Sequence, residues 1–332
     1  MAIGIITGFD DVHADHVIPL LEAKGQEVIR LNTDNFSENV DFTVIESDWN
    51  CRCQLRDSNR SFLTKEVSAV WYRKPVPICV KGEHRLEAAN EFANGEFNSF
   101  FKSFLDLLSN AFWLSCHDNI RQAGRKLPNL RIAADLGLSI PQTIVTNSID
   151  DARFFAKKVD WKLLAKPFAL TTFKTKPHTN TSWDTFATAI DEETFSALEE
   201  SLSLAPVILQ ERVEKDIELR ITIVGNQIFS TSIHSQEHAF AQFDWRAVDV
   251  EELVHQPHTL PAKLKGQLLA FNQHFGLEFS THDLILRPDG EYIWLECNPN
   301  GQWLWIEHLT GQGIGGAIAD ILTKPEVHAL CI

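Results

Sequence analysis

Apolar and polar positions lay out a succession of short elements along the chain. AIGIIT, residues 2–7, is a continuous apolar run bounded by glycine and predicts a buried strand. DDVHADHVIPLLEAKG follows with apolar residues at helical spacing and ends at Gly25, and EVIRLNTD predicts a second strand. Strand, helix and strand in that order predict a βαβ unit and hence a parallel sheet. Strands near FTVIES and AVWYRKP continue this region, and a helix over residues 84–110 carries Phe97, Phe101, Phe104, Leu105 and Leu108 on one face. Further on, a helix from Leu127 to Leu136 is stopped by Gly137 and Pro141, and the strands TIVTN and KLLAKPF flank the helix DDARFFAKKV. VILQERV opens a last region that closes with a helix over residues 314–323.

The strongest local pattern is DLILRPDGEYIWLECNPNGQWLW, residues 283–305. Arg287-Pro288-Asp289-Gly290 carries the residues of a type I turn, so the flanking runs predict an antiparallel hairpin. Pairing Arg287 with Tyr292 puts Leu284, Leu286, Ile293, Leu295 and Cys297 on one apolar face. The other face then carries Asp283 opposite Glu296, with Asn298 two residues further along. Burial of the apolar face forbids a slip of one residue, which would mix the two sets. Three oxygen-bearing side chains thus gather at one hairpin end. Hard cations such as Mg²⁺ suit that arrangement, few protein oxygens with phosphate supplying the rest. The alternative is a hairpin end whose polar residues are only solvated.

Composition narrows the class. A chain of 332 residues with 44% hydrophobic content can fill the core of two or three domains. No apolar run approaches the ~20 residues that span a bilayer, and the N-terminus lacks the pattern of a signal peptide. Six cysteines without a disulfide framework predict a reduced, cytoplasmic setting. A net charge of −15 argues against nucleic acid and leaves room for a basic partner.

Several motif matches carry no chemistry. Gly311, Gly313 and Gly316 satisfy G-x-G-x-x-G, but no strand precedes them, so they predict only the start of the last helix. Cys51 and Cys53 lack a second pair at zinc spacing and predict one face of a strand. His234 and His238 lack the acidic helical context of a zinc site. Phe100, Phe101 and Phe104 predict core.

The order LLAKPF, LQERVEKDIELRITIVG, DLILRPDGEYIWLECNPNGQW resembles the ATP-grasp superfamily. In detail, VWYRKP (71–76), FDWR (243–246) and CNPNGQWLWIE (297–307) resemble the microviridin-type, or graspetide, ligases that macrocyclise ribosomal peptides. The resemblance spans nearly the whole chain. It implies an α/β (α+β) fold with an N-terminal pre-ATP-grasp domain (1–118), a central subdomain (119–205) that covers nucleotide and docks a leader peptide, and a C-terminal subdomain (206–332) with the Mg²⁺ and phosphate site. It further implies Lys126 and Lys166 on the phosphates of ATP, the backbone of Gln210, Glu211 and Val213 at the adenine edge, and Glu218 on the ribose. Asp283, Glu296 and Asn298 become the Mg²⁺ ligands. The segment TTFKTKPHTNTSW after Lys166 departs from generic ATP-grasp ligases, which place glycines there.

Such a site would phosphorylate a substrate carboxylate and let a hydroxyl or amine displace the phosphate, a task of positioning and charge neutralisation. No protein nucleophile is needed. Arg220 and Arg246 are the candidates for holding the γ-phosphoryl and the attacked carboxylate, because a guanidinium grips either anion in bidentate fashion. A precursor peptide with a leader and a core rich in Thr, Ser, Asp and Glu is the expected partner, and a homodimer the expected assembly. Two other classes stay open: an amino-acid or small-molecule ligase on the same fold, and a peptide-binding protein without activity.

Overall fold

A computed structural model of the chain describes residues 1–44, 49–80, 87–168, 172–174, 182–184, 187–196, 198, 202 and 204–330, with only the backbone at 172–174 and 182–184. The opening βαβ pattern gives a parallel sheet ordered Glu27–Asn32, Ala2–Thr7, Val67–Tyr72, Phe112–Trp113. Helix Val12–Ala23, capped by the Asp11 side chain on His13 N–H, packs its Ala14, Val17 and Leu21 inward. The other face of the sheet is covered by helix Glu87–Asp106, with Phe101 and Phe104 buried as expected. Residues 84–86 of the predicted helix, and 45–47 of the predicted strand FTVIES, lie outside the described residues; the described part of that strand is Val40–Val44. It joins Cys51–Leu55 and Arg60–Leu63 in a small antiparallel sheet, where Cys51 and Cys53 are buried on one face with their sulfurs 3.8 Å apart.

A second, antiparallel sheet is ordered Thr188–Ile190, Leu163–Lys166, Val207–Glu211, Thr143–Thr146, backed by helix Ile149–Lys158. Val207–Glu211 thus pairs with central strands, although it follows the expected boundary at 205/206. Of the glycine-free segment after Lys166, strands Thr172–Lys174 and Ser182–Asp184 pair with each other, while 171 and 175–181 lie outside the described residues.

The third sheet is antiparallel: His255–Pro257, Gln227–Ile233, Ile217–Val224, Phe279–Leu286, Tyr292–Asn298. Leu219, Ile221 and Ile223 alternate into a core closed by helix Ala262–Phe275. That core also takes Ala123, Leu130 and Ala133 from helices His117–Ala123 and Lys126–Asp135, so Lys126 is carried on the back of this sheet. Helix Ile314–Thr323 packs on Val12–Ala23, tying the last region to the first. Gly311, at φ 71°, caps helix Leu304–Thr310, and Gly313 precedes Ile314–Thr323, so the glycine run serves two helix ends. Among the described residues no helix is long and apolar enough to cross a membrane.

The hairpin corrects one expectation. Leu286, not Arg287, lies opposite Tyr292, and Leu284 lies opposite Trp294, whereas Asp283 still faces Glu296. A bulge at Leu295 accounts for both facts, because it places one extra residue on the second strand. Trp294 therefore turns into the core, 1% exposed, and Leu295 turns out of it. The register expected from strict alternation holds at the acidic end and is one residue off at the turn.

Candidate active site

Between the central and C-terminal sheets lies a cleft with about 990 Å³ of open space. Lys126, Lys166, Gln210, Glu211, Val213, Glu218, Arg246, Asp283, Glu296 and Asn298 all line it. Its apolar walls are Pro141 and Leu164 on one side, Ile285 and the bulged Leu295 on the other. Arg220 is absent from the lining; it lies directly behind Asp283.

Strand alternation builds the polar end. Arg220 pairs with Asp283, and Asp283 with Glu296, so the three form a row across neighbouring strands. Arg220 Nη1 donates to both Asp283 oxygens at 2.8 and 2.9 Å, and Nη2 donates to the Gln302 carbonyl at 3.0 Å. Asn298 Nδ2 donates to Asp283 Oδ2 at 3.1 Å and Glu296 Oε1 at 3.3 Å. Burial pushes the Asp283 carboxyl above its ordinary range; Arg220 pulls it back and the Glu296 charge pushes it further up. Two adjacent carboxylates facing one cleft are a natural seat for a cation. The donors are two carboxylates and an amide whose oxygen reaches the same side when the amide is turned over. Among the described residues no group of three or more His, Cys, Asp or Glu has metal-holding geometry. A cation here would therefore need most of its oxygens from phosphate and water, which fits Mg²⁺.

Facing this row are the lysines. Lys126 Nζ donates to the Pro167 carbonyl at 2.6 Å, and Lys166 ends its strand within the cleft. Burial pushes both ammonium groups below their ordinary values; the Glu296 charge opposes this at both, while Arg246 adds to it. Cations crowded together in a half-buried cleft are stabilised by a bound polyanion.

At the far end, Gln210 donates from Nε2 to Thr143 Oγ1 at 3.0 Å, and its Oε1 is buried with no partner among the described residues. Glu211 accepts from Gln142 Nε2 at 2.8 Å, and Val213 lines the cleft beyond the end of that strand. Glu218 accepts from Ser235 Oγ at 2.8 Å and Lys215 Nζ at 3.0 Å, with burial pushing its carboxyl up against those contacts. Arg246 grips Asp244 through Nε at 2.8 Å and Nη2 at 2.6 Å. Burial works to raise the Asp244 carboxyl, but the guanidinium prevails and holds it low; Arg246 is raised in turn, chiefly by those hydrogen bonds.

Sequence reasoning missed two of these residues. Asp244 lies inside FDWR beside the arginine that carries the anion-binding expectation, and Lys215 lies three residues before Glu218 with no pattern to mark it. Lys215 Nζ also donates to the Phe243 carbonyl at 2.8 Å, so it joins the Glu218 strand to the Arg246 segment. His234 and His238 pair with Glu237 and Glu252 at 3.4 and 3.3 Å, separately, and do not converge.

The two motifs VWYRKP and CNPNGQW touch each other. Arg73 Nη1 donates to the Asn300 carbonyl at 2.7 Å, and Asn300 Nδ2 returns a bond to the Tyr72 carbonyl at 3.2 Å. Arg73 is fully buried, and burial pushes its guanidinium down to about 10. Gly301 sits beside Arg220, and a Cβ there would lie 1.8 Å from Thr281 Oγ1 and 2.8 Å from Arg220 Nη2. Gly301→Ala is expected to force this loop off the Arg220 row and to destabilise the protein by about 1–3 kcal/mol. Thermal unfolding checks it: an unchanged Tm would mean that the loop yields without cost.

A cleft lined by paired carboxylates, three lysines, Arg246 and an apolar slot suits a ligand with both anionic groups and a flat apolar part. The N-terminal residues 3–121 match the family model described as the MvdD pre-ATP grasp domain. Macrocyclase MdnC from Microcystis aeruginosa MRC, solved bound with precursor peptide MdnA, is 30% identical over 98% of this chain and 100% of that one, with a TM-score of 0.85. Macrocyclase MdnB from the same organism is 30% identical over 97% and 98%, with a TM-score of 0.78. A RiPP-associated ATP-grasp ligase of Chryseobacterium gregarium, in complex with ADP and a leader and core peptide, is 27% identical over 98% and 97%, with a TM-score of 0.88. No curated protein matches. The chain belongs to the ATP-grasp ligases that macrocyclise ribosomal peptides.

Proposed function

We propose that the cleft uses ATP to activate an Asp or Glu side chain of a precursor peptide as an acyl phosphate. A Thr or Ser hydroxyl, or a Lys amine, of the same peptide then closes the ring. The observation that carries this reading is the meeting of the Arg220–Asp283–Glu296 row with Lys126, Lys166 and Arg246 around one cleft.

Roles follow from position. The apolar walls Leu164, Ile285 and Leu295 suit a nucleobase between them, and the unpartnered Gln210 Oε1 suits an amino donor on its edge. Glu218, fixed by Lys215 and Ser235, suits the ribose hydroxyls. Lys126 and Lys166 would hold phosphate oxygens, while Asp283, Glu296 and Asn298 would hold Mg²⁺, which neutralises phosphate charge when bound. Arg246, oriented by Asp244, presents a planar donor set to the carboxylate being activated. Arg220 positions Asp283 rather than meeting substrate, since it lies outside the cleft lining with Nη1 on Asp283 and Nη2 on the Gln302 carbonyl.

Incubation with ATP and a short Thr/Ser- and Asp/Glu-rich peptide carrying a leader tests this. ATP should be consumed only with the peptide present, and each ring should remove one water from the peptide mass. Peptide-independent turnover, or no dehydration of any candidate, would count against the reading. We further propose that the leader docks on the central region through Lys or Arg, given the net charge of −15. Leader affinity should then fall as ionic strength rises, and an affinity indifferent to salt would remove the electrostatic part of the idea.

A further inference from the structure

A second cleft, of about 300 Å³, opens at the carboxyl ends of the parallel N-terminal sheet. Strand Ala2–Thr7 is flanked by Glu27–Asn32 on one side and Val67–Tyr72 on the other. Strand order reverses at that point, and such a switch point opens a crevice in which α/β sheets bind ligands. The loop Gly8-Phe9-Asp10 lines it from the first strand, Asp34 and Lys74 from beyond the two flanking strands, and Gln302 from the C-terminal region.

The loop backbone is firmly held. Phe9 N–H donates to Asp34 Oδ2 at 2.8 Å, and Arg30 Nη2 donates to the carbonyls of Gly8 and Phe9 at 3.0 and 2.6 Å. The side chains at the rim are left in water: Phe9 is 64% exposed, Val12 56% and Val76 44%. Fixed backbone beneath exposed apolar side chains is a surface prepared for contact.

Charge decides the class of occupant. A helix N-terminus at a switch point ordinarily favours phosphate. Here Asp10, Asp11 and Asp34 surround the start of helix Val12–Ala23 and repel an anion. Asp11 is used internally, accepting from Thr7 Oγ1 at 2.6 Å and His13 N–H at 3.2 Å. Asp34 keeps one oxygen, Oδ1, buried and without a partner among the described residues. Lys74 offsets one acidic charge and Arg73, acting on Asp11, a second; Arg30 is balanced by Asp15, and burial favours the neutral form of His13, so one acidic charge is left over. The balance remains acidic.

We propose that this cleft docks a basic, partly apolar segment of the precursor peptide, with its cation on Asp10 and Asp34 and an aliphatic neighbour on Phe9, Val12 and Val76. The proposal rests on the peptide-substrate reading above. Its position suits that reading: Gln302 lines the cleft, and its carbonyl accepts from the same Arg220 that holds Asp283. A segment bound there enters beside the site of chemistry. The two clefts share no lining residue.

The test uses the isotopically labelled full chain and two synthetic peptides, acetyl-Leu-Lys-Leu-amide and acetyl-Leu-Glu-Leu-amide. The lysine peptide should shift the amide signals of Phe9, Asp10 and Val76. It should bind roughly tenfold more tightly than the glutamate peptide, since charge reversal replaces one attraction by one repulsion. Asp10→Lys should remove or invert that preference while Tm and ADP binding stay unchanged. Equal affinity for the two peptides, shifts confined to the nucleotide cleft, or no shift at all overturns the proposal. Because the titration needs neither turnover nor nucleotide, such a result leaves the macrocyclase reading standing. Absence of ring formation beside normal titration would count against that reading alone.

Discussion

Glu296→Gln should keep the fold and lose Mg-ATP turnover by roughly 10²- to 10³-fold. The substitution preserves size, and the backbone pairing of Glu296 with Asp283 does not depend on its charge. What changes is the electrostatics of the whole cleft. The Glu296 carboxylate opposes the lowering of Lys126 and Lys166 and supports Arg246. It is also one of the two carboxylates that would neutralise Mg²⁺, leaving Asp283 alone, already committed to Arg220. The variant should therefore need far more Mg²⁺ for whatever activity remains. A Mg²⁺ titration of peptide-dependent ATP consumption, with Tm as the control for folding, decides the matter. Wild-type turnover at ordinary Mg²⁺ would sink the metal assignment.

The sequence made the acidic end of the hairpin legible because burial of one face leaves few registers open. Unbroken alternation would carry that register to the turn, and the bulge at Leu295 breaks it. Nothing in IWLEC announces the bulge, since Trp294 and Leu295 are both apolar and either could have faced the core. The same limit explains Val207–Glu211: a short apolar strand shows that it is buried, but not which sheet it joins. Lys126 was matched by resemblance, whereas its helix packs on the C-terminal sheet through Leu130 and Ala133, a contact that only tertiary structure reveals. Asp244 and Lys215 act by orienting other side chains, and that role depends on distance across the fold. Arg73 and Gly301 lie within VWYRKP and CNPNGQWLWIE, where sequence alone gives them no role. Arg73 clasps the Asn300 carbonyl, more than two hundred positions away, and Gly301 leaves room for Thr281 and Arg220, contacts that only the fold creates.

Lys166→Ala and Arg246→Ala should fail in different ways. Lys166 ends a central strand inside the cleft, where burial already disfavours its charge and a bound anion would restore it. A cation that grips nucleotide equally before and during reaction contributes uniform binding, so its loss should raise the KM for ATP and spare kcat. Arg246 is held differently. Its Nε and Nη2 are locked on Asp244, which fixes the plane of the guanidinium toward the cleft. If that plane meets charge developing on the activated carboxylate and the transferring phosphoryl group, its removal should lower kcat by roughly 10²- to 10³-fold, as for loss of one oxyanion donor. Arg246→Lys should rescue little, because an ammonium cannot reproduce the two-pronged bond to Asp244. Calorimetry should then show weakened ATP binding in Lys166→Ala, and normal ATP and peptide binding in Arg246→Ala. Mass spectrometry of the peptide should show few rings from the latter. If Arg246→Ala dehydrates the peptide at the wild-type rate, Arg246 serves only to pair Asp244, and the chemistry must rest on Lys126, Lys166 and the metal site.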